Sequence, residues 1–416
     1  MEIKAPRGTN DILPSNSYKW RYVEKVVGEI ASLYGFKEIR FPTFEHTELF
    51  ERGVGDTTDI VQKEMYTFKD KSDRSLTLRP EGTASAARLC LENGLFGGLL
   101  PLKLYYIISA FRYEKPQAGR FREFHQFGVE LYGSDSYMSD VEVICLANEM
   151  INQLKLKDIV LKINSIGCPE CRAKYHNALR EYFKKNEDEL CGTCKDRLER
   201  NPMRILDCKS PVCSAIVKNS PVILDFICEN CSEHFDGVKK GLDAVGIEYI
   251  IDPKIVRGLD YYSKTVFELI YKEDGLTVLG GGRYDGLIKE LDEKQDICGL
   301  GFATGLERII SVMDKQNCDF GEVPGIDLYI ANIGEKGLPR AVILAKELRE
   351  AGFCAENDLM GKSLKAQMKY ADKIGAAYSI VLGDNEVQTN IGVLKNMQTG
   401  ENIEIKLSDI IQIMKN

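Results

Sequence analysis

The stretch LYYIISAFRYEKPQAGRFREFHQFGVEL, residues 104–131, decides how the rest of the chain is read. Its two ends, 104–112 and 124–131, are rich in β-branched and aromatic residues, as antiparallel strands are. Residues 115–119 loop between them, so one strand leaves and the next returns. The polar content is unusual for such a hairpin. Arg112, Glu114, Arg120, Arg122, Glu123, Gln126 and Glu130 fall among Phe111, Phe124, Phe127 and Leu131. Residues two apart on a strand share a face, so Arg112, Glu114, Gln126 and Glu130 can point into one cleft. The competing reading of this segment alone is an exposed face with weak salt bridges.

Working outward, two more segments are candidates for the same cleft. Gly280-Gly281-Gly282-Arg283-Tyr284 is soon followed by Gly299-Leu300-Gly301-Phe302-Ala303-Thr304-Gly305-Leu306-Glu307-Arg308. Glycines let backbone approach a flat ligand closely. Arg308 falls early in a helix expected over 306–313, beside its positive end. A tight turn with a surface arginine would look the same. In Arg257-Gly258-Leu259-Asp260-Tyr261-Tyr262 a guanidinium stands beside two aromatic rings, which suits an anionic ligand with a planar part.

A chain of 416 residues exceeds one ordinary core, so two or three domains are expected. Hydrophobic residues at 44% and charged residues at 28% fit a soluble globular protein. The formal net charge of -8 excludes a generally basic protein, so any nucleic-acid surface must be a local patch. No apolar run approaches the roughly 18–20 residues of a membrane span. Residues 1–10 hold no apolar segment of the kind that directs export, so a cytoplasmic, reducing location is expected.

Helical spacing covers 18–33, and 37–43 reads as a strand that Pro42 places at an edge. Residues 167–250 are Cys-rich, mainly helical in pattern, and look inserted. After Val323-Pro324-Gly325, strand patterns at 327–331, 353–355 and 378–382 alternate with helical ones at 338–351 and 364–374. Two more strands, 391–395 and 402–405, precede a last helix, which together read as a compact α/β domain. Of thirteen cysteines, eight form close pairs: Cys168 with Cys171, Cys191 with Cys194, Cys208 with Cys213, and Cys228 with Cys231. Two Cys₄ zinc sites would use all eight, with their grouping left open. Reduced core thiols in a helical insertion are the alternative. Cys90, Cys145, Cys298, Cys318 and Cys354 are expected as inert core thiols. Arg88 is expected at the surface.

Taken with Leu78-Arg79-Pro80-Glu81-Gly82-Thr83, the hairpin and the 299–308 segment resemble the class II aminoacyl-tRNA synthetase core. The helix leading to Pro42 resembles that class's dimer-forming motif 1, the hairpin motif 2, and the glycine–Arg308 stretch motif 3. The 257–262 peptide, and Pro6-Arg7-Gly8-Thr9-Asn10-Asp11 at the start, resemble the histidyl-tRNA synthetases in particular. The resemblance spans nearly the whole chain. It implies an α+β catalytic domain with an antiparallel sheet over 1–166 and 252–323. It also implies a mainly helical Cys-rich insertion over 167–251 and a C-terminal α/β anticodon-binding domain over 324–416.

The implied activity is joining of L-histidine to tRNA(His) through an ATP-driven histidyl-adenylate, by a cytoplasmic homodimer using Mg²⁺. The resemblance gives Arg112 the α-phosphate and the substrate carboxylate, Arg257 the α-phosphate, and Arg308 the γ-phosphate, with Glu114 also at the ATP site. Glu130 would accept from an imidazole N–H and Tyr262 would bond the other ring nitrogen. Glu81 would hold the α-ammonium, helped by Thr83 and Gln126, with Tyr261, Gly281 and Gly305 lining the pocket. Loop residues 117–122 would touch the tRNA acceptor end. Arg197, Arg200 and Arg204 could share a helix face and touch tRNA, but Pro202 interrupts that helix and a solvated face is expected. The better-known family members lack this Cys set, so structural Zn²⁺ at the eight cysteines takes no support from the family. Two rivals are a histidine-sensing regulatory subunit of ATP phosphoribosyltransferase and another class II synthetase, prolyl or threonyl. The regulatory subunit usually lacks the anticodon domain and phosphate-binding arginines.

Overall fold

The computed structural model describes residues 3–55, 58–117, 119–321, 323 and 325–415. Ala118 of the hairpin loop and Pro324 of the expected junction lie outside the described residues. The chain divides into two compact units, Met1–Phe320 and Gly321–Asn416.

In chain order the strands of the first unit are β1 (Lys37–Glu38), β2 (Phe44–His46), β3 (Tyr66–Lys69), β4 (Ser75–Leu78), β5 (Leu102–Phe111), β6 (Glu123–Tyr132), β7 (Ile159–Ser165), β8 (Ile250–Ile251), β9 (Ser263–Tyr271), β10 (Thr277–Arg283) and β11 (Gly299–Gly305). Eight of them make one sheet, ordered β1-β5-β6-β11-β10-β9-β7-β8. The inner pairings are antiparallel, and a short parallel strand closes each edge. The expected hairpin is β5–β6, in register from Leu102 opposite Tyr132 to Phe111 opposite Glu123. The strand expected over 37–43 is shorter: β1 ends at Glu38, while β2 joins a separate sheet ordered β2-β4-β3. Pro42 lies between them, where its missing N–H interrupts no ladder.

Strand alternation sorts the sheet's two faces. Phe127, Val129 and Leu131 of β6, Leu300 and Phe302 of β11, and Phe267 and Leu269 of β9 point into one layer. The helices Pro14–Leu33, Tyr137–Gln153 and Leu306–Lys315 cover that layer with Val27, Ile144 and Ile309 among others. Each such fully buried side chain contributes about 1.5–3 kcal/mol. The opposite face of the same strands carries Gln126, Gly128 and Glu130, so a central strand buried on both sides still supplies polar groups.

Residues 167–251 hold four α-helices, Pro169–Lys184, Gly192–Arg200, Pro211–Val217 and Glu229–Ala244. The last packs on Tyr137–Gln153. There His234 approaches Asp140 (3.2 Å), which also holds the fully buried Arg283 (2.7 Å). Arg283 is therefore a structural tie between sheet and helix.

The second unit has strands β12 (Leu328–Asn332), β13 (Ala355–Asn357), β14 (Tyr378–Leu382), β15 (Ile391–Asn396) and β16 (Asn402–Lys406), ordered β13-β12-β14-β15-β16. The first three are parallel and the rest antiparallel. Helices Gly334–Glu350 and Leu364–Lys373 complete the α/β alternation, and a short helix, Asp384–Thr389, adds to the elements expected. Among the described residues, no helix is long and apolar enough to cross a membrane.

Candidate active site

The polar face of the main sheet floors a cleft of about 460 Å³ within the first unit. Register places Gln126, Gly128 and Glu130 of β6 beside Gly305, Ala303 and Gly301 of β11. Gly280 of β10 lies beside Ala303 in turn. Backbone is open to a ligand at Gly305, while Gly280 lies under the Arg257 guanidinium and Gly128 under the Tyr106 ring.

Arginines gather at one end. Arg112 leaves the end of β5; its Nε donates to the Pro80 carbonyl (2.8 Å), and its guanidinium lies 5.4 Å from the Phe124 ring centre. Arg257 pairs with Glu268 of β9 and lies directly over Gly280, where any Cβ would collide with the guanidinium. Its Nε is buried without a hydrogen-bond partner among the described residues. Arg308 sits in the first turn of Leu306–Lys315 and donates to the carbonyls of Gly119 (3.1 Å) and Thr277 (2.8 Å). Carbonyls orient a guanidinium without neutralising it. Burial, then the positive charges of Arg120, Arg112 and Arg257, push the Arg308 group below its ordinary value. All four arginines line the same cleft. Glu114 pairs with Arg120 (3.0 Å) and stands 4.0 Å from Arg112. The set suits a polyanion held by planar forks.

The other end is a closed polar pocket. Glu130 is 1% exposed; Oε1 accepts from Tyr106 Oη (2.9 Å), and Oε2 accepts from Tyr284 Oη. Burial pushes its carboxyl from 4.5 up to about 8, against the hydrogen bonds from Tyr284, Thr83 and Tyr106. The Tyr261 ring lies 4.7 Å from Tyr262 and 5.4 Å from Tyr284, centre to centre. Glu81 is also buried; its oxygens accept from the N–H groups of Thr83 and Ala84 (both 2.8 Å), capping the helix Thr83–Glu92. Each oxygen keeps a second lone pair for a ligand. Gln126 Oε1 accepts from Gly82 N (3.0 Å), which turns its amide nitrogen away from that backbone.

The raised Glu130 group predicts a pH effect on the free protein. Its stabilising protonated state is complete below the unfolded value of 4.5 and is lost as pH rises to about 8. In that window the native chain holds a proton the unfolded chain has released, so stability falls with pH by up to about 1.4 kcal/mol per unit. Glu130→Gln keeps one acceptor oxygen for a tyrosine, puts an amide NH2 in place of the other, and removes the titration. Its melting temperature should gain on wild type between pH 5 and 8; a constant offset across that range would refute the burial argument.

Comparison with known proteins adds to this geometry. The sequence profile of the histidyl-tRNA synthetases matches residues 8–189 and 217–309, and that of the anticodon binding domain matches 327–416. A histidine--tRNA ligase of Acetivibrio thermocellus is 54% identical over 417 residues, covering all of both chains. The chain belongs to the histidyl-tRNA synthetase family. Another relative, a histidine--tRNA ligase of Halothermothrix orenii, is 52% identical and covers 100% of this chain and 99% of that one. The apo histidyl-tRNA synthetase of Staphylococcus aureus superposes with a TM-score of 0.84 at 39% identity, with both chains fully covered. A Bacillus halodurans structure described as an ATP phosphoribosyltransferase regulatory subunit/histidyl-tRNA synthetase shares the fold, with a TM-score of 0.68 at 22% identity. The fold is that of the family: an antiparallel-rich α+β core, a helical Cys-rich insertion and a separate C-terminal α/β anticodon-binding domain.

Most residues expected in a histidyl-tRNA synthetase site line this one cleft: Glu81, Thr83, Arg112, Glu114, Gln126, Arg257, Tyr261, Tyr262, Gly305 and Arg308. Glu130 is absent from that lining; it is buried behind Tyr284, which does line the cleft and donates to it. Gly281 is a correction. It is absent from the lining, and its missing Cβ would strike Phe302 and Phe267 in the helical layer. Its neighbour Gly280 faces the cleft, because side chains alternate along β10. Sequence reading also missed Tyr106, Tyr284 and Gly301. A Cβ at Gly301 would crowd Glu130 and Tyr284. Tyr284 lies two residues past the glycine run, separated from it by Arg283, and that closeness was the one available signal.

Three other expectations change. Arg88 is part-buried and paired with Glu45 (2.5 Å) and Glu92 (2.7 Å), not a free surface group. Cys354 is exposed, not a core thiol, whereas Cys90 is buried and its thiol is pushed up to about 12. Of the three arginines expected on a solvated face, Arg200 is exposed and Arg197 pairs with the exposed Asp59 (3.0 Å), but Arg204 is turned inward onto Asp260 (2.8 Å). The eight insertion cysteines lie outside the cleft in two groups, Cys168, Cys171, Cys228 and Cys231, and Cys191, Cys194, Cys208 and Cys213.

Proposed function

We propose that this cleft activates L-histidine with ATP and passes it to tRNA(His). The observation that carries the reading is one cavity lined by Arg112, Arg257 and Arg308 together with Glu81, Tyr261, Tyr262 and Tyr284, the last donating to the buried Glu130 behind it. The histidine carboxylate attacks the α-phosphorus of ATP, and pyrophosphate leaves. Charge grows on phosphate oxygens, where prepositioned guanidinium groups stabilise it without reorganising. Arg112 holds the substrate carboxylate against the α-phosphate, Arg257 approaches the same phosphate from the sheet floor, and Arg308 takes the γ-phosphate. Glu114, a hard oxygen donor between Arg112 and Arg120, fits Mg²⁺ carried in with the phosphates; the ion would neutralise their remaining charge.

Glu130 and Tyr262 recognise the two imidazole nitrogens, Glu81 takes the α-ammonium with Thr83 and Gln126, and Tyr261 forms a wall. In the second step the terminal ribose hydroxyl of tRNA attacks the adenylate's carbonyl carbon, and AMP leaves. Loop residues 117–122 meet the acceptor end. We assign catalysis to 1–166 and 252–323, the insertion to 167–251, and anticodon reading to 324–416, in a cytoplasmic homodimer whose contact includes motif 1. Zn²⁺ in the cysteine groups would be structural, since four thiolates leave no open position for catalysis.

The regulatory-subunit reading is not favoured, because the three phosphate arginines and the anticodon-binding profile are both present. Pyrophosphate exchange with each of the twenty amino acids separately tests the proposal. Histidine alone should support exchange well above background; exchange with proline or threonine instead, or with none, would sink it.

A further inference from the structure

The insertion grips the 257–262 segment at Asp260 and Tyr262. Asp260 lies in the middle of the 257–262 segment, between Arg257 and the tyrosines. Its Oδ1 accepts from Arg204 Nη2 (2.8 Å) and Asn201 Nδ2 (3.2 Å). Arg172 Nη1 donates to the carbonyls of Asp260 (3.3 Å) and Tyr262 (3.0 Å). All three donors belong to the insertion, and each is spaced by cysteines. Arg172 follows Cys171, while Asn201 and Arg204 lie between Cys194 and Cys208. Asp207 and Lys209, on either side of Cys208, reach the cleft lining themselves.

The cysteine groups are arranged for metal. Within each, all four sulfurs lie within 4.8 Å of one another. Cys168 and Cys171 sulfurs are 3.5 Å apart, and Cys191 and Cys208 sulfurs 3.9 Å. Disulfide sulfurs would be about 2.05 Å apart, whereas thiolates tetrahedral about zinc at ~2.3 Å stand about 3.8 Å apart. The N–H groups of Cys228 and Cys191 point at the sulfurs of Cys171 (3.0 Å) and Cys213 (3.4 Å), as donors do toward charged thiolates. The groups are nested: Cys191 to Cys213 close a loop inside the span that Cys168 to Cys231 close. The inner loop carries Asn201 and Arg204, and Pro202 ends its helix Gly192–Arg200. A short helix and a 3₁₀ turn need a crosslink to stay fixed.

We propose that the inner Cys₄ group binds one Zn²⁺ whose task is to hold Asn201 and Arg204 on Asp260, so that metal in the insertion sets the position of Tyr262 and Arg257 in the cleft. The outer group does the same for Arg172. Arg204 is thus a positioning residue, acting on histidine through Asp260. The inference rests on the histidine reading of the cleft.

The test uses the full-length protein, isolated without added metal and without chelator. Metal analysis should give about two zinc ions per chain. The double substitution Cys208→Ser, Cys213→Ser should leave one. Its KM for histidine in pyrophosphate exchange should rise roughly 10-fold or more, with the KM for ATP nearly unchanged, because a small displacement of a recognition loop costs that much. Arg204→Ala should keep both ions yet show the same histidine-selective rise, and Arg204→Lys should recover part of it. Wild type that is active with histidine but free of zinc overturns the metal assignment. Arg204→Ala with unchanged histidine KM overturns the clamp, even where the cysteine variant does not fold. Wild type without histidine-dependent exchange fails earlier, at the reading of the cleft itself.

Discussion

Arg257→Ala should lower histidine-dependent pyrophosphate exchange by about 10²–10³ in kcat, the scale on which enzymes lose rate when one fixed charge donor at the reacting centre is removed. The loss should fall on kcat more than on either KM, since the guanidinium matters most where phosphate charge builds. The substitution has a second effect that must be separated. Arg257 is ion-paired with Glu268, both mostly buried, and removing one partner strands the other. That cost is about 3–5 kcal/mol for a fully buried pair and less here. Glu268→Gln added to Arg257→Ala should restore the melting temperature without restoring exchange. Arg257→Lys should also fall short of wild type, because an ammonium cannot present a planar fork. Near-normal exchange by a folded Arg257→Ala protein would remove this residue from the chemistry.

The second large effect concerns choice of amino acid. Glu130→Ala should reduce kcat/KM for histidine by on the order of 10³ or more, because a pocket built to accept a ring N–H discriminates through that buried acceptor. The KM for ATP should stay within about 3-fold, since the phosphate end is built from other strands. Separate titrations of histidine and ATP decide the point. Equal losses on both axes would show that the substitution collapses the cleft and that Glu130 has no particular claim on the imidazole. The contrast with Glu130→Gln is informative, since glutamine keeps the shape and one acceptor oxygen but presents no carboxylate to the ring.

The hairpin over 102–132 was legible because alternation along two long strands is a local signal, and polar residues among buried ones identify the face that needs a ligand. Arg112, Gln126 and Glu130 follow from that pattern alone. Arg257 and Arg308 needed the family resemblance, because nothing in sequence separation says that they meet Arg112. Tyr106 and Tyr284 stayed hidden for the same reason: each reaches Glu130 from another strand. The glycine run 280–282 showed a close approach to backbone but not its phase. Three identical residues carry no alternation, and the reading settled on Gly281 where Gly280 faces the cleft. Arg204 was misread because a cation beyond a helix-breaking proline looks solvated until the distant Asp260 is known to meet it.

The ring of Tyr106 rests on two backbones at once. A Cβ at Gly82 or at Gly128 would occupy the ring's own position, and its hydroxyl is one of the two that hold Glu130. Three residues far apart in sequence therefore constrain one another as a single mechanical part. Drift by single substitutions is closed at this spot: enlarging either glycine expels the ring, and shrinking the ring leaves a void over both glycines and strips the acid of a donor. Amino-acid choice in this protein is thereby anchored in a region that can change only by coordinated replacement.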